Sequence, residues 1–205
     1  MEAYLDVFGV APRGSSPWEA ELEGFYACRH TVAEMKRTNR ERDWPFATAL
    51  GAQMIERGDP RGWLHIFDDE LLCALTRSAR PPTSLLKQRP VLKLAMENDL
   101  RLRSAVHAEA QFWHELDRAR LGIYQKAVRP YMRAVRRSRL SGAGLEIQHQ
   151  TRVACAEKYL PLDPLAEYGV TRLIADAHQA LKQLVNPAAL EWLPDVREHF
   201  KASKV

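Results

Sequence analysis

The sequence predicts a mostly α-helical protein: a helical body carrying a small strand-bearing element near its start. Three observations lead there. From residue 30 onward apolar residues recur at three- and four-residue spacing, the period of a helix with one buried face. Prolines, glycines and capping residues punctuate that pattern at intervals suited to short helices. Only the opening, Tyr4-Leu5-Asp6-Val7-Phe8-Gly9-Val10, is rich in β-formers and runs into a Pro/Gly/Ser turn at residues 12–17. The chain has 205 residues, 46% of them apolar and 27% charged, enough to bury a core without disulfides or metal.

Taken in order, residues 30–37 form a short helix, broken at Thr38-Asn39 because Asn tolerates the left-handed conformation. Asp43 caps the next helix, with Pro45 in its first turn and Phe46, Leu50, Met54 and Ile55 on one side; Gly58-Asp59-Pro60 ends it. Residues 68–77 form another helix, and 78–83 is the clearest linker. It divides an N-terminal unit of strand plus short helices (1–80) from a helical unit (81–205), and the two are able to pack as one domain. Residues 84–96 are helical with an interruption at Pro90. The longest helical pattern covers 98–139, with Leu102, Val106, Trp113, Leu116, Ile123 and Ala127 as its apolar stripe; Pro130 should kink or split it. Helices at 145–159, 163–185 and 187–200 complete the chain.

Several function classes fall away. Cys28, Cys73 and Cys155 lie far apart and form no Cys-x-x-Cys pair, against a disulfide framework or cysteine zinc site. The start carries no basic leader and no run approaches ~18 apolar residues, so no membrane partner is expected and cytoplasm is the expected compartment. No P-loop, dinucleotide fingerprint or Ser-His-Asp pattern occurs. His107 and His114 are two helical turns apart, too far for a metal pair, and His149 and His178 are no better placed. No metal ligand set is assigned.

Two constellations remain. Asp6 sits between apolar residues on the predicted strand. About 25 residues later comes Val32-Ala33-Glu34-Met35-Lys36-Arg37-Thr38-Asn39-Arg40-Glu41-Arg42-Asp43, a helix, a tight break and a second helix with basic residues at the break. Together these resemble the nucleotidyltransferase-like superfamily, the polymerase-β-type fold with its abortive-infection toxin relatives, over residues 4–56. The resemblance implies that Asp6 is the third metal carboxylate and that Lys36 and Arg40 meet nucleotide or phosphate. In that family a Gly-Ser turn and two carboxylates one residue apart stand upstream of the third. Here five residues precede Asp6, and Gly14-Ser15 with Glu19 and Glu21 lies downstream. Two-metal catalysis needs all three carboxylates. The expected function is therefore a partial or degenerate nucleotidyltransferase-like protein, inactive alone and acting as an interaction module. No cofactor is expected, with Mg²⁺ entering only if a complete core is assembled. A structural reading of the same residues has Arg40 pairing with a neighbouring acid.

The second constellation is basic. Residues 101–139 hold ten Lys/Arg against three Asp/Glu, a net of +7 in a chain whose total is +4. Lys126, Arg129, Arg133, Arg136 and Arg137 fall three and four apart, on one face of a continuous helix. They are candidate nucleic-acid contacts through phosphate charge, with Tyr124 and Tyr131 near enough to stack on a base. If the stripe is structural instead, its arginines will be buried against acids such as Glu146 or Glu157. A basic helical nucleic-acid binder and a helical assembly subunit are thus the alternative functions. A protein partner or second copy of the chain ranks ahead of nucleic acid.

Overall fold

The computed structural model describes residues 21–200. The expected strand at 4–10, and Asp6 with it, lie outside the described residues. The strand-bearing element that is described is a hairpin, β1 (Leu22–Glu23) antiparallel to β2 (Tyr26–Ala27), turning through Gly24 at a φ of 67°. Among the described residues, every later element is helical.

Helix α1 (Arg29–Lys36) begins at Cys28, whose sulfur accepts from the Thr31 amide. It ends at Arg37, and Asn39 is not left-handed: the break is held instead by side-chain bonds described below. A 3-10 turn, Glu41–Asp43, leads into α2 (Trp44–Glu56), with Pro45 in the first turn where a missing N–H costs nothing. Asp43 does not cap this helix; its carboxylate turns back toward Thr38 and Arg40. Gly58, at a φ of 79°, closes α2, and Asp59 caps the 3-10 turn Pro60–Leu64 through the Arg61 amide. This turn lies directly on α2. A Cβ on Gly62 would stand 2.4 Å from the Gly51 carbonyl oxygen, so only glycine permits the approach.

Helix α3 (Asp69–Ser78) is capped by Asp68, accepting from the Leu71 amide at 2.8 Å. Pro90 separates α4 (Thr83–Gln88) from α5 (Val91–Glu97), and Asn98 ends α5 at a φ of 51°. Helix α6 (Leu102–Arg137) then runs 36 residues, about 54 Å at ~1.5 Å per residue. Pro130 does not split it. The ring removes one amide, but Lys126, whose carbonyl loses that partner, is exposed, so the unmade bond falls on the solvent side of the helix rather than in the core. Helix α7 (Leu145–Tyr159) follows. The expected helix over 163–185 is two, α8 (Pro164–Tyr168) and α9 (Val170–Leu181), divided by Gly169 at a φ of 92°. The expected helix over 187–200 is replaced by two 3-10 turns, Pro187–Trp192 and Glu198–Phe200, with Pro194 between them.

Two apolar clusters hold the body. One joins Trp63, Ile66 and Leu72 to Val91, Leu94, Leu102 and Val106; the other joins Phe112, Trp113 and Leu116 of α6 to Leu173, Ala177 and Leu181 of α9. The first half of α6 carries both, so it is the beam of the fold. Trp63 and Trp113 are buried core anchors, and Trp44 meets Phe67 edge-on at 4.5 Å. Among the described residues no helix is long and apolar enough to cross a membrane, and the three cysteines are free.

Candidate functional site

Lys36 and Arg40 do come together, on Asp43. Arg40 Nη2 lies 2.8 Å from Asp43 Oδ2, the Thr38 hydroxyl donates to the same oxygen at 2.9 Å, and Lys36 Nζ lies 3.8 Å from Oδ1. Burial disfavours the charged carboxylate, but the Thr38 bond and the two cations outweigh it and hold Asp43 below the usual range. The Asn39 amide donates to Asp117 of α6 at 3.0 Å. The segment is a lock on the α1–α2 break, the structural pairing raised above for Arg40.

A polar cavity of about 310 Å³ lies where α1, the Pro60–Leu64 turn, α4, α6 and the C-terminal segment meet. Its wall includes His30, Glu34 and Arg37 from one end of the chain and His199 from the other. Glu34 Oε1 is 2.9 Å from Arg37 Nη2, 3.8 Å from His30 Nε2 and 3.7 Å from His199 Nδ1. Burial alone would push the Glu34 carboxyl up; His199, Arg37 and His30 outweigh this and hold it at about 2. His30 Nδ1 meets His65 Nε2 at 2.9 Å, behind the wall. Burial lowers the pKa of all three histidines, His65 most, where the Arg37 charge adds to it. The imidazoles are therefore neutral near pH 7.

Opposite stands a buried ion pair. Arg89 Nε donates to both Glu109 oxygens at 2.9 Å, and its other nitrogens donate to the Trp63 and Ile66 carbonyls at 2.5 and 2.6 Å. That guanidinium is saturated. Arg61 is engaged by Asp59 and Glu21. Arg37 differs. Its guanidinium lies over the Trp113 ring at 4.3 Å, and both Arg37 Nε and Trp113 Nε1 are buried without a protein acceptor. Sequence reasoning missed this cavity because its residues are scattered from 30 to 199. The readable signals were Glu34 and Arg37 at helical spacing from His30, and a carboxylate, Glu109, inside the apolar stripe of α6.

The basic stripe is exposed. Lys126, Arg129, Arg133, Arg136 and Arg137 lie in the second half of α6, and no ion pair among the described residues includes any of them. Glu146 and Glu157 do not bury them. Buried positions on α6 stop at Arg120, and from 121 through 172 no residue is buried. Along this stretch Leu121, Tyr124, Val128 and Met132 floor an open groove of about 550 Å³, with Arg129, Arg133 and Arg136 beside it. Leu145, Ile147, Val153 and Leu162 add exposed aliphatic surface nearby in sequence.

The other histidine pairs stay apart from these sites. His178 packs on Phe112 at 4.5 Å, and Asp176 accepts from the Tyr168 hydroxyl. Among the described residues no three His, Cys, Asp or Glu side chains gather as metal ligands. No family model, curated protein or solved structure matches the chain.

Proposed function

We propose that this chain works by contact, as an interaction module, and that the second half of α6 seats an acidic amphipathic helix of a partner protein. The single observation that carries this is the α6 groove: an apolar floor of Leu121, Tyr124, Val128 and Met132 edged by unpaired Arg129, Arg133 and Arg136. An amphipathic helix lays apolar side chains at i, i+3, i+4 and i+7 into such a groove. Carboxylates on its flank then meet the arginines, which supports association rate and specificity. The floor is mainly aliphatic. A single-stranded nucleic-acid site relies on aromatic platforms, and here Tyr124 is the one ring in the groove. Under the resemblance at 4–56, the module is a relative of nucleotidyltransferases that positions a partner and transfers no nucleotide. Incorporation of labelled nucleotide with Mg²⁺ that disappears in Asp6→Asn would replace that part of the reading.

The test is fluorescence polarisation against four probes at low and physiological salt: an acidic amphipathic helical peptide, a scrambled peptide of the same composition, a single-stranded oligonucleotide and a double-stranded one. The amphipathic peptide should bind best. Val128→Asp should abolish binding, and Arg133→Glu with Arg137→Glu should weaken it while leaving the melting temperature unchanged, since exposed charges contribute little to stability. Equal binding of the scrambled peptide overturns the groove. Tight, salt-sensitive binding of oligonucleotides without peptide binding makes the ridge a nucleic-acid surface instead.

A further inference from the structure

The cavity under α1 carries a second inference, independent of the α6 groove. We propose that it binds a small molecule that presents a carboxylate or phosphoryl oxyanion to Arg37 and Trp113. Both side chains line the cavity, and both are more than nine-tenths buried. Each leaves one N–H, Arg37 Nε and Trp113 Nε1, without a protein acceptor. Buried donors are nearly always satisfied, and two in one cavity call for an acceptor that enters from outside. The two groups are stacked at 4.3 Å, so one oxyanion can lie within reach of both.

The rest of the wall defines the ligand by elimination. Arg89 spends its donors on Glu109 and two carbonyls, and Arg61 spends its own on Asp59 and Glu21. Among the cations of the wall, free donor capacity is thus concentrated at Arg37, and Trp113 adds a buried N–H beside it. Arg37 retains charge, which makes its bond to an oxyanion a strong, charge-assisted one. A volume of about 310 Å³ exceeds a lone oxyanion and sits at the lower end of small-molecule sites, so the oxyanion is one end of a larger ligand. His30 and His199, on either side of Glu34, face the remainder of that ligand as neutral imidazoles able to accept or donate a hydrogen bond.

The experiment uses the full chain with inorganic phosphate and with acetate as probes, at constant ionic strength maintained with chloride. Calorimetric titration and thermal unfolding are read together. Saturable binding of at least one probe, with a concentration-dependent rise in melting temperature, is expected. Trp113→Phe keeps an aromatic ring on the wall but removes the N–H together with part of the indole, so it should weaken that binding about tenfold or more. The ligand-free Trp113→Phe protein should fold but melt somewhat below wild type, because part of a buried ring is lost from the core, and the ligand-induced rise in melting temperature is read against that ligand-free baseline. Arg37→Lys should also weaken binding, and Arg129→Gln on α6 should leave it unchanged. Phosphate bound more tightly than acetate assigns a phosphoryl ligand, and the reverse assigns a carboxylate. Absence of saturable binding by either probe overturns the proposal, and so does equal binding by wild type and Trp113→Phe.

Discussion

Glu109→Leu tests the most demanding interaction in the body. Arg89 and Glu109 are each about 1% exposed and joined by paired contacts at 2.9 Å. Taking the carboxylate away leaves a guanidinium in the interior with only the Trp63 and Ile66 carbonyls and the Phe67 ring, 4.8 Å away, to receive it. Breaking one side of such a pair costs about 3–5 kcal/mol. For a chain of this length that lowers the melting temperature by roughly 6–20 °C, at ~2–4 °C per kcal/mol. The double variant Arg89→Met with Glu109→Leu removes both charges, but it strands the two carbonyls, at ~1–3 kcal/mol each. It should therefore still be destabilised, yet by far less than the sum of the singles, with a coupling of about 3 kcal/mol or more. Arg89→Met alone strands a carboxylate, which escapes by taking up a proton, so its deficit should shrink toward acid pH while that of Glu109→Leu does not. Urea unfolding followed by far-ultraviolet circular dichroism measures all three. A Glu109→Leu cost below ~1 kcal/mol, or simple additivity, would refute the argument.

Stability should also fall in acid, in two stages. His30, His65 and His199 are held below their ordinary values when folded, chiefly by burial, with Glu34 opposing and Arg37 and Arg61 assisting at His30. The unfolded chain then binds more protons as pH drops through ~6.5, so stability is full above that point and is lost below it. Glu34, at about 2 when folded against 4.5 as a reference, contributes above pH 4.5 and loses its share toward pH 2. A urea midpoint that stays flat from pH 7.5 to 5 would contradict this. Gly62→Ala should cost ~1–3 kcal/mol, because its Cβ would stand 2.4 Å from the Gly51 oxygen and 2.8 Å from Ile55. A variant within 0.5 kcal/mol of wild type, roughly the additivity error of such measurements, would show that α2 and the turn can separate freely.

Much of the helical order was legible because its signals are local. Asp68 caps α3, Pro90 parts α4 from α5, and Gly58-Asp59-Pro60 ends α2, all within a turn of the residue that announces them. Asp43 misled for a physical reason: a carboxylate ahead of a proline has the chemistry of a cap, but three donors at Thr38, Arg40 and Lys36 compete for it and win. Gly169 was overlooked because the apolar period continues across it, while its φ of 92° breaks the helix. The exposed stripe could be read directly, since no acid falls between Lys126 and Arg139. The cavity could not, because Arg37 meets Trp113 and Glu34 meets His199 only through tertiary packing.

That contrast decides which variants can speak about function. Around the cavity the charges are balanced in pairs, Glu34 with Arg37, Glu109 with Arg89, Asp59 with Arg61. Deleting any one of the buried charges strands its partner in a medium that screens poorly, so a lost activity would be confounded with a lost fold. Along residues 121–172 no side chain is buried, so substitutions there can change binding with little effect on folding. The cavity offers one comparable handle. The indole N–H of Trp113 carries no formal charge and serves no protein acceptor, so Trp113→Phe strands no charge, and the packing it costs is the same with and without ligand. A defect in Trp113→Phe that appears only when an oxyanion is present thus belongs to the ligand, whereas the same defect in Arg37→Lys alone would not separate ligand from fold.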